Sequence, residues 1–215
     1  MKKALILTAM AALLTFSLKA QQLSPNVQAV YDACLQLQSS IHSGSTAGLR
    51  DANQQLKDCQ TAYFASLKTV DEEQQPSLNG HFVFDYEFVD SLIVNRIVYD
   101  FAERYAERCA VRGTSSNKDK VYMKTSVVAG RSSAKFTFRS RGRQELAVVA
   151  EPGGLVTLRV HDTTNDTWHN DTKKVKKGEP SRVLVFDLPT DKRNELELEV
   201  INLSKNDVSF VVISN

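Results

Sequence analysis

From Ala134 to Ser214 the chain runs through six short stretches of alternating or continuous apolar character: AKFTFRSRG, QELAVVAEPGG, LVTLRVHD, SRVLVFDLP, ELELEVIN and DVSFVVIS. Each is closed by Gly, Pro, Asn or Asp. Lys135-Phe136-Thr137-Phe138-Arg139 and Glu195 to Val200 alternate strictly, which gives a strand one dry face and one wet face. Leu146–Ala150 and Val208–Ile213 are apolar at nearly every position, as strands covered on both sides would be. Short strands at intervals of roughly ten residues, with no helical pattern between them, predict two packed antiparallel sheets. VYMKTSVV, Val121 to Val128, opens that β-sandwich.

The N-terminal third follows a different period. Ser24-Pro25-Asn26 is an N-cap followed by Pro at the first helical position. Apolar residues recur at Val27, Val30, Cys34, Leu37 and Ile41, and again at Leu49, Ala52, Leu56, Cys59 and Tyr63, continuing to Leu67. The Gly- and Ser-rich stretch from His42 to Gly48 separates the two runs. Two heptad-spaced helices joined by a short loop predict an antiparallel hairpin. In such a hairpin facing residues share one positional sum, and Val30–Tyr63, Cys34–Cys59, Leu37–Leu56 and Ile41–Ala52 all do. A Cys34–Cys59 disulfide is therefore expected, worth about 3–4 kcal/mol in the loop-entropy model; two reduced, buried thiols are the alternative.

Between these regions, Phe82, Phe84, Tyr86 and Phe88 alternate as a strand, or an extended segment laid along the sandwich, would. Asp90 then precedes a period-four run of Ile93, Ile97, Phe101, Tyr105 and Cys109, so a helix is expected over Ser91–Arg112. Cys109 reads either as a buried small hydrophobe on that helix or as a nucleophile or intermolecular bridge. The acidic run with Pro76 and the polar stretch 113–120 mark linkers. The expected fold class is α+β, with a signal segment at 1–20, a helical hairpin at 21–75, a linking strand and helix at 76–120 and the β-sandwich at 121–215.

Composition matters mainly through the first twenty residues. Met1-Lys2-Lys3, an apolar run from Ala4 to Leu18 and the small-residue site before Gln21 form a secretory signal. Its removal takes three lysines, leaving 24 basic against 25 acidic residues. The basic balance of the whole chain thus supports no nucleic-acid partner. No later apolar run is long enough for a membrane span. The expected location is periplasmic or secreted.

Candidate chemistry is sparse. The four histidines show no metal-ligand spacing, and there is no nucleophile elbow, P-loop or dinucleotide fingerprint. No residue is assigned a catalytic role. The loop after Val160 is the richest stretch: Asp162, Asn165, Asp166, Asn170 and Asp171 surround Trp168, the only tryptophan. Clustered Asx oxygens suit Ca²⁺, and an exposed indole beside polar groups suits a sugar ring. The same stretch also reads as an Asx-rich turn with Trp168 plugging the core edge.

The order FTFRSRGRQELAVVAEPGG–LVTLRVHD–(Asx-rich loop)–SRVLVFDLP–LELEVINLS–VSFVVIS resembles the bacterial pre-peptidase C-terminal domain over about Ser133–Asn215. That resemblance implies a jelly-roll-like accessory sandwich without catalysis of its own. The expected function is an exported binding or accessory module acting on glycan or protein of the envelope or extracellular space. The alternative is an assembly protein whose hairpin mediates association.

Overall fold

The computed structural model describes residues 22–59, 61–70, 75–95, 120–170 and 180–215. The expected signal segment, residues 96–112 of the expected helix with Cys109, the linker residues 71–74 and 113–119, and Asp171 lie outside the described residues.

The chain is α+β, with three helices and two five-stranded sheets among the described residues. Helix α1 spans Pro25–Ser43 and α2 spans Thr46–Asp58. Pro25 sits in the first turn, where its missing N–H costs no intrahelical bond. Gly44 ends α1 in the left-handed region at φ 67°, and its N–H donates to the Ile41 carbonyl. Ser45 caps α2 by accepting from the Gly48 N–H. The connection is thus only Gly44-Ser45, tighter than the His42–Gly48 turn expected from composition. Gly48 lies inside α2 because α1 passes close: a Cβ there would meet Ser40 Oγ at 2.4 Å.

Helix α2 stops at Asp58, well short of the expected Leu67. Cys59 is already extended at φ −76°, ψ 137°. Thr61–Tyr63 then forms β1, parallel to Val121–Met123, and Lys68–Thr69 forms β2, antiparallel to Phe136–Thr137. Cys34 and Cys59 are both free thiols, Cys34 buried and Cys59 half-buried, so the expected staple is not formed. Cys59 stands at the extended C-cap of α2, outside the helix, although it remains a neighbour of Cys34. Burial drives the Cys34 thiol far above its ordinary pKa, and the neighbouring Cys59 pushes it further.

Phe82, Val83 and Phe84 are buried in succession with no ladder, so of the two expected forms the strand is not made. Helix α3, Tyr86–Asn95, starts five residues earlier than expected, because Asp85 Oδ1 accepts from the Glu87 and Phe88 N–H groups. Asn53 on α2 donates to the Tyr86 carbonyl and to Asp90, tying the two helices. Glu151 anchors the approach to α3, accepting from the N–H groups of Phe82 and Ser209 and meeting His81 Nδ1 at 2.8 Å.

The remaining strands are β3 (Val121–Val128), β4 (Ser133–Ser140), β5 (Arg143–Ala150), β6 (Val156–Asp162), β7 (Thr167–Asn170), β8 (Ser181–Asp187), β9 (Asn194–Asn202) and β10 (Val208–Ser214). One sheet has the order β1-β3-β10-β5-β8 and the other β2-β4-β9-β6-β7. Every pairing is antiparallel except β1 with β3.

Side-chain alternation divides the interior in two. Leu146, Val148, Phe210 and Val212 of the first sheet share a core with Phe136, Leu158 and Leu198 of the second. Ala147, Val149, Val211 and Ile213 point the other way, into a second core with Val27, Val30, Cys34 and Leu37 of α1. This explains the continuous apolar runs: the central strands of the first sheet are dry on both faces. The second sheet has helices on neither face among the described residues, and its outward positions are polar apart from Ile201 and Trp168.

The candidate binding face

The outward face of the second sheet is a lattice of charged residues ending in an aromatic edge. β4 presents Lys135, Thr137 and Arg139, which strand alternation turns away from buried Phe136 and Phe138. β9 presents Glu195, Glu197 and Glu199, alternating with buried Leu196 and Leu198. β6 adds Arg159 and His161, and β7 adds Trp168. Register brings these rows together: Glu199 lies between Lys135 and Arg159, and Glu197 lies between Thr137 and His161, which in turn faces Trp168.

Opposite charges on this face are paired. Arg139 binds Glu195 and Arg159 binds Glu199, while Lys135 Nζ lies 3.6 Å from Glu197. Glu199 is nearly buried. Burial alone would raise its carboxyl pKa, but hydrogen bonds from Arg159 and Ser133 and the nearby Arg159 and Lys135 charges outweigh that and lower it.

Trp168 is 46% exposed. The His161 ring stacks on its indole, with centroids 4.4 Å apart and planes 7° from parallel. The Arg159 guanidinium lies over the indole at 4.9 Å from its centroid. His161 Nε2 is in turn 2.9 Å from Asp166 Oδ1.

The Asx residues around Trp168 separate into different roles. Asp162, the last residue of β6, points inward and is 2% exposed. Its carboxylate accepts from the Thr164 and Asn165 N–H groups, the Asn165 side-chain amide and the Asn194 side-chain amide. Burial would raise its pKa, and these hydrogen bonds reverse the effect and hold it low. Asn165, having donated to Asp162, turns its oxygen toward Lys192 Nζ at 3.5 Å. Asp166 sits at φ 49° in the turn and faces His161. Asn170 pairs through its backbone with Arg159. The expected loop is therefore a tight hairpin, with Thr167–Asn170 a strand, and Asp162 and Asn165 hold its turn. Among the described residues no cluster of three or more His, Cys, Asp or Glu side chains is placed to hold a metal ion.

Trp168 was singled out by the loop's composition, whereas His161 was not. Arg159, Glu197 and Glu199 were not, although the wet half of each alternating strand marks them. What the sequence lacks is the register that sets them beside Trp168.

A groove of about 530 Å³ elsewhere is lined by Leu56, Lys57, Cys59, Thr61, Tyr86 and Lys120. Burial and the adjacent Asp58 raise the Cys59 thiol. That is opposite to the shift an activated thiol nucleophile requires.

No known protein-family profile matches the chain, and no curated protein matches it. Among solved structures, the Yersinia pseudotuberculosis-derived mitogen is similar at TM-score 0.32 and 12% identity, over 44% of this chain and 84% of the mitogen. Salmonella Typhimurium PliG, a periplasmic inhibitor of g-type lysozyme, is similar at TM-score 0.30 and 13% identity, over 49% of this chain and 96% of PliG. The CBM22-1–GH10 modules of Clostridium thermocellum xylanase 10B are similar at TM-score 0.29 and 16% identity, over 44% of this chain and 24% of that one. Scores this low carry no functional argument. Among the described residues no helix is long and apolar enough to cross a membrane.

Proposed function

We propose that this protein is an exported, non-catalytic binding module whose two sheets form a jelly-roll-like β-sandwich of the pre-peptidase C-terminal kind, backed by a helical hairpin. Its ligand is a glycan or protein of the cell envelope or extracellular space, and it docks on the outward face of the second sheet. The carrying observation is the asymmetry of the two sheets. The first is covered by α1, whereas the second offers Trp168, with His161 and Arg159 against its ring, at the end of a row of paired charges. A half-exposed indole held by its neighbours is costly to leave in water and cheap to order on binding. Export is supported by the signal-type sequence of residues 1–20.

The hairpin is a poorer surface for a partner. Val27, Val30, Cys34 and Leu37, the residues of its apolar stripe, are buried against the first sheet.

Capture from envelope extracts and on glycan arrays, with wild-type protein and Trp168→Ala side by side, tests the reading. Capture that depends on Trp168 is expected. Capture unchanged by the substitution, but lost when exposed positions on α1 and α2 are altered, would transfer the function to the helices.

A further inference from the structure

We propose that the outer face of the Trp168 indole is a stacking platform for a neutral sugar ring; this rests on reading the second sheet as the binding face and specifies the ligand class it takes.

The platform's orientation follows from topology. His161 and Arg159 both project from β6, so they lie against the β6 side of the indole. β7 is the terminal strand of its sheet, and no further strand flanks the opposite side among the described residues. One face of the ring is therefore occupied and the other is turned off the sheet edge, in keeping with its 46% exposure. Stacking on the occupied side fixes the side chain before a ligand arrives, so little rotamer freedom remains to be lost.

Charge then selects the ligand. The cations of this face are matched by Glu195, Glu197 and Glu199, so an anion finds no uncompensated positive charge there and would approach three carboxylates. A cationic ligand seeking the indole would meet a ring whose quadrupole already holds Arg159, and would be repelled by it. A neutral ligand meets neither cost.

A pyranose combines an apolar C–H face with a rim of hydroxyls. The C–H face matches the indole. The rim can exchange charge-assisted hydrogen bonds with the exposed parts of Arg159 and Glu197, which keep spare donors and lone pairs while paired. An apolar peptide side chain would cover the indole but make no use of that polar row.

Trp168 is the chain's only tryptophan, so intrinsic fluorescence reports on this site alone. The full chain is titrated separately with neutral cello-, manno- and chito-oligosaccharides, with oligogalacturonate, with tetramethylammonium chloride and with a pool of aromatic and aliphatic peptides. A saturable emission change with at least one neutral oligosaccharide is expected. Calorimetry of that pair should show affinity reduced about tenfold or more in Trp168→Ala and less in Trp168→Phe, which keeps a ring. Circular dichroism confirms that both variants are folded.

A saturable response confined to oligogalacturonate, tetramethylammonium or the peptides would overturn the neutral-sugar assignment while leaving the face as a binding surface. Silence of Trp168 toward every neutral oligosaccharide would overturn the assignment too. If envelope capture also survived Trp168→Ala, the binding-face reading would fall with it.

Discussion

The central strand β10 of the first sheet and the central strand β9 of the second have the same length to within two residues and opposite exteriors. Val211 and Ile213 on β10 are fully buried under α1, while the corresponding outward positions of β9 are Glu195, Glu197 and Glu199. Their inward faces are alike, with Phe210 and Val212 meeting Leu196, Leu198 and Val200. One chain has thus built two sheets with a common interior and used helices to dry only one exterior. What remains wet is free to carry chemistry, and there the paired charges and the indole are found.

The largest expected effect concerns what the two sheets share. Phe136 and Phe210 come from opposite sheets, are fully buried and meet with ring centroids 6.0 Å apart. Phe210→Ala should cost about 3–5 kcal/mol in urea unfolding. A cost below about 1 kcal/mol would mean the sheets do not depend on one core.

The next experiment addresses the two exteriors directly. Ile213→Ala, under α1, should cost about 2–4 kcal/mol. Thr137→Ala, outward on the second sheet, should change stability by less than about 0.5 kcal/mol. Equal costs would remove the distinction between a covered and an uncovered face.

A smaller effect tests the turn that positions Trp168. Replacing Asp162 by Asn should cost about 2–3 kcal/mol at neutral pH, because the Asn165 and Asn194 amides lose a charged acceptor. The carboxyl's pKa is lowered in the fold from an ordinary 3.8, so its stabilisation is complete above that value and is lost as pH falls through the lowered one. The difference in stability between wild type and Asp162→Asn should therefore shrink on acidification below about pH 4. A difference independent of pH would show that the carboxylate's charge is not what holds the turn.

The last measurement reads a rate and leaves stability untouched. Cys34 lies beneath the helices, whereas Cys59 lines a groove, so iodoacetamide should label Cys59 in the native protein and Cys34 only on unfolding. Simultaneous labelling of both under native conditions would mean that α1 does not shield its face of the first sheet.

The strand pattern of the C-terminal half was legible because burial on one or both sides leaves different marks. Strict alternation at Lys135–Arg139 and Glu195–Val200 belongs to the sheet with a wet exterior. Continuous apolar runs at Leu146–Ala150 and Val208–Ile213 belong to the covered one. The two strands of three and two residues at 61–63 and 68–69 are too short for any period to register, and their partners lie some sixty residues away. The helical spacing that ran on through Cys59, Tyr63 and Leu67 was coincidental. Leu67 enters the core between the sheets and Tyr63 is exposed, and no Gly or Pro marks the stop at Asp58. At the candidate site, composition drew attention to Trp168 and the Asx residues but could not separate those that hold the turn from those that face solvent. That division depends on Asn194, thirty-two residues beyond Asp162 in sequence.

The place of β10 also governs the order of assembly. It hydrogen-bonds to β3 on one side and β5 on the other, so it is the middle of its sheet although it follows the other nine described strands in sequence. Until residues 208–214 arrive, β3 and β5 have no common partner, α1 has half a surface to dock on, and β1 waits on an incomplete sheet. Pairings of such sequence separation close slowly, since the loop entropy is lost before the contacts form. The nascent chain must therefore carry β3 and β5 each short of one partner strand for the several seconds that synthesis of the intervening residues requires. On the export proposed above this delay is useful, because a chain still short of β10 stays threadable at a translocation pore and closes around that strand on the far side.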